Sequence, residues 1–507
     1  MTWQRELDEL AERQRLAEKM GGEEKVARQH NRGKLDARQR LAGLVDEGSF
    51  REIGKIAGRG TYNDDAEFED FSASNLIFGR ANIEGRPVVA SADDFSVRGG
   101  AADAALHRKF VQCEKMAHIM GIPMIRMIDG TGGGGSVKTL ETSGFTYVPA
   151  VPGWEDIMKN QDMVPVVALA LGPTAGMGAA RTVASHYSIM VRGLSQLFAA
   201  GPVVAQAIGE DLSKEELGGT DIHCTNGVVD EEVASEAEAF LTARKFLSYL
   251  PSNVDQLAAR TENTDPVDRR DEHLLTAVPR EDKQVYSMRK IVESVFDTGS
   301  VFEMGKRWGR AAITAFARLD GWPVAVLAND PSFLGGSWEA KSSEKVERFA
   351  KLADQFNLPV VHLVDNPGFM IGAEAERTGT IRYGVEAMNA VYRAKVPWAS
   401  VIIRRAYGIA GSAMSNAETF QYRFAWPSGD WGSLPIAGGL EAAYKSDIES
   451  SEDPAARLEE IKAKLARVTS PFRTAEHFSV EDIIDPRDTR PLLCEFADLA
   501  WRKLGAG

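Results

Sequence analysis

At 507 residues, with 44% hydrophobic and 26% charged residues, the chain has the length for two domains and the make-up of ordinary globular protein. A formal net charge of −14 argues against nucleic-acid binding, which needs a basic face to displace counterions, but leaves room for a small anionic ligand in a local basic pocket. No apolar run reaches the ~18 residues a membrane helix needs. The three cysteines, Cys113, Cys224 and Cys494, show no CxxC spacing, which argues against structural zinc or disulfides and places the chain in a reducing cytoplasm.

In chain order, residues 1–44 read as a charged helical leader with leucines at Leu7, Leu10 and Leu16. Its start, MTWQRELDELAERQRL, has no hydrophobic signal core. Within the leader, KVARQHNRGKLDARQR carries six Lys or Arg against one Asp, either a solvated helix face or a clamp for phosphate. Short apolar runs then alternate with helical periodicity. PVVASADD, IPMIRMIDG and VPVVALALGP read as strands, and AADAALHRKFVQCEKMAHIMG as a helix between them. Continuous apolar strands suit a sheet covered on both faces, and the intervening helices suit parallel crossovers. A polar stretch with two prolines, 263–283, reads as a linker between an N-terminal domain, 1–262, and a C-terminal domain, 284–507. The second domain repeats the alternation in WPVAVLAND, LPVVHLVDNPG and VPWASVIIRRAYG.

The two halves share their punctuation. Gly85 precedes Asp129 by 44 positions, and Gly321 precedes Asp365 by 44. Pro87 to Pro123 and Pro323 to Pro359 both span 36 positions, while Pro165 to Gly176 and Pro397 to Gly408 both span 11. So long a period excludes a solenoid and implies two related α/β domains. Two similar pockets would suit a reaction with two similar halves.

No GxSxG, HExxH or Walker lysine is present. What recurs is glycine after strands and before helices, in GTGGGGS, GPTAGMGAA, DNPGFMIG and AYGIAG. Small residues there let a ligand carbonyl approach backbone N–H groups that lack helical partners and could stabilise an oxyanion. The bland alternative is that these glycines only make turns. Asp93, Asp94, Asp129 and Asp365 are read as caps or loop ties rather than catalytic acids.

These motifs resemble those of the carboxyltransferase (beta) subunits of biotin-dependent acyl-CoA carboxylases, the propionyl-CoA and methylcrotonyl-CoA type. The likeness runs nearly end to end through RGKLDARQRLAGLVDEGSFREIG, ADDFSVRGGA, MVPVVALALGPTAGMGAA, ELGGTDIHCTNGVVD, LVDNPGFMIG, GTIRYG and RRAYGIAGSAM. The resemblance implies two tandem crotonase-like domains, the first holding the acyl-CoA and the second carboxybiotin, with the active site completed by a neighbouring protomer. It places an acyl-side oxyanion hole on Gly176 and Met177, where relatives carry Gly-Gly. The biotin-side hole falls on Ile409 and Ala410, where relatives carry Gly-Ala. Arg98, Gly99 and Gly100, with Arg32, Lys34 and Arg38, become candidates for CoA, and Gly368 and Phe369 for the biotin side. Ser412 stands where many relatives carry an acyl-selecting Asp, and Gly133 and Gly134 lie in a loop that departs from the family's DSGGAR type, so both bear on substrate choice.

The resemblance also explains the missing general base, since carboxybiotin brings both CO₂ and a ureido ring able to take the α-proton of the thioester. No biotin-attachment domain or ATP-using region is recognisable, and Met158-Lys159 sits inside the first repeat. Biotin is therefore expected on a partner, the biotin carboxylase and carrier (alpha) subunit, with a homo-hexamer of beta subunits at the centre. A short-chain, propionyl-CoA-like substrate is expected. The alternatives are a sodium-pumping decarboxylase subunit of the same chemistry, a crotonase-type hydratase, and a non-catalytic assembly subunit.

Overall fold

The computed structural model describes residues 2–101, 106–130, 141, 144–146, 148, 150–282, 284–417, 420, 422–434, 439–440, 443–466 and 468–505. They form two compact units, Met1–Gln256 and Leu257–Gly507. No described helix is long and apolar enough to cross a membrane.

In the first unit three leader helices, Gln4–Glu18, Glu23–His30 and Ala37–Leu44, precede the sheet. The third starts on a capping box in which Asp36 accepts from the Arg38 and Gln39 N–H groups and Gln39 returns a bond to Asp36 N–H. The sheet runs in the order Arg51–Glu52, Leu76–Ile83, Arg86–Asp93, Met124–Ile128, Val166–Ala170, Tyr187–Val191 and Glu231–Val233. Its first three strands are antiparallel, which the alternation did not foretell, and the remainder are parallel. Strands Met124–Ile128, Val166–Ala170 and Tyr187–Val191 are buried along their whole length, as their unbroken apolar runs require. The expected crossover helix is His107–Met120 and ends on left-handed Gly121.

The second unit repeats this plan with Phe302–Met304, Ala312–Leu319, Trp322–Asn329, Val360–Asn366, Trp398–Tyr407, Tyr422–Ala425 and Asp482–Ile483. The hairpins match pair for pair: Leu76 faces Asp93 and Ile83 faces Arg86, while Ala312 faces Asn329 and Leu319 faces Trp322. Both two-residue turns take positive φ throughout, at Glu84 and Gly85 and at Asp320 and Gly321.

The duplication reaches further than the glycine and proline spacing revealed. Asp46 accepts from Glu84 and Gly85 N–H (3.0 and 2.9 Å), and Asp297 from Asp320 and Gly321 N–H (3.1 and 2.8 Å). The Gly85 N–H is the main reason the Asp46 carboxyl is held below the usual range. Ser49 and Ser300 each accept one N–H from the adjoining strand at 3.1 Å. Arg38 pairs with Glu52 as Arg289 pairs with Glu303. Each aspartate is also closed by an arginine from the unit's later helices. Arg244 binds Asp46 and the Leu44 carbonyl, and Arg490 binds Asp297 and the Val295 carbonyl. Upstream of the first unit's hairpin Leu76–Asp93 sits an added one, Gly58–Tyr62 with Phe68–Ala73.

The stretch 263–282, expected as a linker, is built into the second unit. Arg269 donates to the Ser294 and Phe296 carbonyls (2.8 and 2.9 Å) and pairs with Asp265, and Arg490 donates to the Pro266 carbonyl at 3.0 Å. Arginine–carbonyl bonds leave no apolar period to read, which is why the segment looks like a spacer in sequence.

The two aspartates differ in exposure, and that sets an expected outcome. Arg490 and Asp297 side chains are 1% and 7% exposed, whereas Arg244 and Asp46 are 23% and 28% exposed. Asp297→Ala should cost about 3–5 kcal/mol because it strands a buried guanidinium. Asp46→Ala should cost about 1–2 kcal/mol, since water reaches its partners. Urea denaturation of the two variants measures the difference.

Candidate functional site

In the first unit the strands Met124–Ile128 and Val166–Ala170 deliver the chain to Asp129-Gly130 and Gly172. Residues Pro173–Ala175 then pair with Gln196–Phe198 before the helix Met177–Val183. The turn between them falls on Gly176, at φ 57 and ψ −118, a conformation that only glycine takes readily. No atom crowds the Gly176 Cα, so glycine is needed there for its backbone freedom alone.

Gly176 N–H donates to the Phe198 carbonyl at 3.1 Å. That group already has an acceptor within the fold. The next two N–H groups, on Met177 and Gly178, lie in the first helical turn and have no acceptor among the described residues. The uncommitted pair is thus one residue later than the motif suggested. Gly178 is required for contact, since an added Cβ would lie 2.6 Å from the Thr174 side chain. Met177 takes ordinary helical geometry because Gly176 absorbs the unusual backbone.

Beneath this turn lies a buried ionic cluster. Asp129, fully buried, pairs with Lys34 and with Arg40 (2.8 Å) and accepts from Gln29 at 3.2 Å. Arg40 also binds Glu236 through two nitrogens (2.9 and 3.1 Å) and donates to the Leu171 carbonyl at 2.7 Å. The Asp129 and Lys34 head groups press against the Gly172 Cα, where any side chain would collide with them. Burial pushes the Lys34 ammonium below its ordinary pKa, opposed by Asp129. Lys34 and Arg38, expected at a phosphate, are paired within the fold, one with Asp129 and the other with Glu52. Arg32 and Arg98 are exposed. The other acids tie loops as expected: Asp94 accepts from Ser96 N–H and Oγ, and Asp93 pairs with Arg181 at 3.2 Å.

The second unit builds the equivalent platform with different residues. Asp365, also fully buried, accepts from Arg405 Nε at 2.6 Å and from the Tyr286 hydroxyl at 2.8 Å. Burial first, and then the facing Asp365 carboxylate, push the Tyr286 phenol well above its ordinary pKa, so it acts as a donor. Arg405 also donates to the Gly335 carbonyl. Asn366 links the two loops of the site, accepting from Gly368 N–H (3.0 Å) and donating to the Ala410 carbonyl (3.1 Å). Gly368 is buried at φ 114, and Phe369 packs its ring on Gly384 and faces Trp338.

Gly408, at φ 59, is the counterpart of Gly176. The following Ile409 and Ala410 N–H groups have no acceptor among the described residues. The isoleucine fits because Gly408 takes the left-handed conformation and the Ile409 side chain points outward, 60% exposed. Ala410 is buried. Ser412 is exposed, and its hydroxyl donates to the Ile409 carbonyl at 2.7 Å.

One left-handed turn occurs twice beside these donors. Arg98-Gly99-Gly100 and Leu334-Gly335-Gly336 all have positive φ. A Cβ on Gly100 would lie 2.5 Å from the Asp129 carbonyl oxygen, and one on Gly336 would lie 2.6 Å from that of Asp365. Sequence reasoning found the first turn and missed the second, although a Gly-Gly pair at the repeat interval marked it. It read Gly178 only as a source of flexibility beside Met177, and it missed Asn366. Gly133 and Gly134 lie outside the described residues. Among the described residues no group of His, Cys, Asp and Glu could hold a metal. Gly100→Ala and Gly336→Ala should each cost ~2–3 kcal/mol through overpacking and positive φ, measured by urea unfolding.

Residues 28–505 match the carboxyl transferase domain family. The chain is 31% identical over 507 residues to the carboxyltransferase subunit of propionyl-CoA carboxylase from Haloferax mediterranei, covering 99% of this chain and 97% of that one. It is 31% identical over 497 residues to the methylmalonyl-CoA decarboxylase subunit alpha of Veillonella parvula, covering 97% and 94%. The crystal structure of transcarboxylase 12S with methylmalonyl-coenzyme A and methylmalonic acid bound matches with a TM-score of 0.88 at 30% identity, over 99% of this chain and 96% of that one. With two tandem α/β, crotonase-like halves and relatives along its whole length, the chain belongs to the carboxyl transferase domain family.

Proposed function

We propose that this chain is the carboxyltransferase subunit of a biotin-dependent acyl-CoA carboxylase, adding a carboxyl group to the α or vinylogous carbon of a short-chain, propionyl-CoA-like thioester. The observation that carries the assignment is the repeated turn, Gly176–Gly178 and Gly408–Ala410, each with two N–H groups that have no acceptor among the described residues. Residues 1–262 form the acyl-CoA side and 284–507 the biotin side.

Carboxybiotin, carried by a partner subunit, supplies CO₂ and the base for the α-proton. Met177 and Gly178 N–H stabilise the thioester oxygen as the α-carbon loses its proton, and the α-carbon then bonds to CO₂. Ile409 and Ala410 N–H do the same for the ureido oxygen as the carboxyl leaves. Gly368 and Phe369 border the ring. Arg98 and Arg32, exposed and cationic, meet CoA phosphates near Gly99 and Gly100. Ser412, Gly133 and Gly134 bear on acyl-chain choice.

The partner is a biotin carboxylase and carrier subunit around a hexamer of this chain, as the hexamer assembly described for transcarboxylase 12S supports. The three cysteines are all free and buried, in keeping with the cytoplasm. A second reading, decarboxylation in a sodium-pumping complex, is favoured by the likeness to the Veillonella subunit.

Co-purification with the biotinylated partner, followed by ATP-dependent bicarbonate fixation over a panel of acyl-CoAs, tests direction and substrate together. Met177→Pro removes one N–H at the first helical position, where proline is tolerated. It should lower kcat by about 10²–10³-fold with the oligomer intact. Full activity in that variant overturns the assignment of the donors.

A further inference from the structure

We propose that Arg126 and His362 are twin positioning residues, each holding a backbone carbonyl at or just beyond the C-terminal end of the short helix whose first N–H groups face the reacting oxygen. The inference rests on the assignment of those N–H groups made above. Arg126 lies in the strand Met124–Ile128 and His362 in Val360–Asn366, each three positions before the buried aspartate of its unit, Asp129 or Asp365. Arg126 is fully buried and His362 is 1% exposed.

Arg126 donates to the Arg181 and Ala184 carbonyls (3.3 and 2.6 Å), which close the helix Met177–Val183. Its other nitrogens bind Glu114 at 2.8 and 2.7 Å, and Asn160 donates to the same carboxylate at 2.9 Å. A cation there also complements the helix dipole. In the second unit the Met414 carbonyl, two residues beyond the helix Gly408–Ser412, accepts from three side chains. These are Trp398 Nε1 at 2.7 Å, Ser400 Oγ at 2.6 Å and His362 Nδ1 at 3.2 Å. Because a carbonyl only accepts, His362 must carry its proton on Nδ1. Burial pushes the imidazole down to about 4, so it works as a neutral donor.

Helices of seven and five residues do not hold their own position in water. A displacement of about 1 Å at a reacting atom is enough to cost up to 100-fold in rate. Apolar side chains would fill both sites without desolvating a donor. What the polar groups add is a fixed distance between the strand and the end of the helix. One half does this with a paired charge and the other with a neutral ring.

The test uses the complete complex with its biotinylated partner and separates kcat from KM. His362→Leu should lower kcat by roughly 10- to 100-fold while KM for the acyl-CoA stays within about twofold. His362→Asn, whose amide can still donate to Met414, should recover most of the loss. On the acyl side, Arg126→Met with Glu114→Leu removes the ion pair as a unit, so that no buried charge is stranded. That variant should lower kcat and slow exchange of the acyl-CoA α-proton. Folded variants with unchanged kcat, or an Asn variant no better than Leu, overturn the inference while leaving the proposed reaction intact. A wild-type complex that transfers no carboxyl group to or from any acyl-CoA overturns both.

Discussion

A carboxylate buried at the end of a parallel strand organises each half of this protein. An ionised acid with no exposure must be matched by charge and by donors, because the cost of desolvation is not recovered otherwise. Asp129 draws its partners from residues far apart in sequence: Gln29, Lys34 and Arg40 from the leader, with Arg40 then fastened to Glu236 and to the Leu171 carbonyl. One charge thereby ties leader, strand ends and closing helix into a platform. The Gly172 loop lies directly on it, and the donor turn at Gly176 follows.

The second half solves the same problem with a phenol and a guanidinium. Tyr286 and Arg405 close Asp365, and of the partners in the first cluster only an arginine recurs in kind, from a different element. What is preserved is backbone geometry. The left-handed turn packs its last glycine on the aspartate carbonyl in both units, and a second glycine sets the entry to the donor helix in both. Side chains at Met177 and Ile409 are free to depart from glycine because the residue before each one takes the conformation that an L side chain resists. What recurs is the path of the backbone, while the side chains that support it differ between the two halves.

The doubled plan, the apolar strands and the glycine-rich turns were legible in the sequence because each leaves a local mark. Unbroken apolar runs report burial on both faces of a sheet, and repeated Gly and Pro intervals report repeated turns. The antiparallel hairpin at the sheet edge left no such mark, since its strands are as apolar as the parallel ones. The place of 263–282 against the second unit was hidden for the opposite reason. Arginine–carbonyl bonds hold it, and these look like solvent-facing polarity in a one-dimensional string.

Composition and punctuation determined by themselves that the chain is a duplicated α/β protein with paired glycine turns, and its motifs carried the resemblance to the carboxyl transferase type. Only the tertiary structure decided which backbone groups of those turns find an acceptor among the described residues. Gly176 loses its N–H to Phe198, twenty-two residues onward, and Lys34 and Arg38 spend their charge on Asp129 and Glu52. The physical reason is that a donor's availability depends on which acceptor the fold brings within hydrogen-bond reach. Sequence shows that a donor exists, and three-dimensional proximity alone shows whether it is already taken.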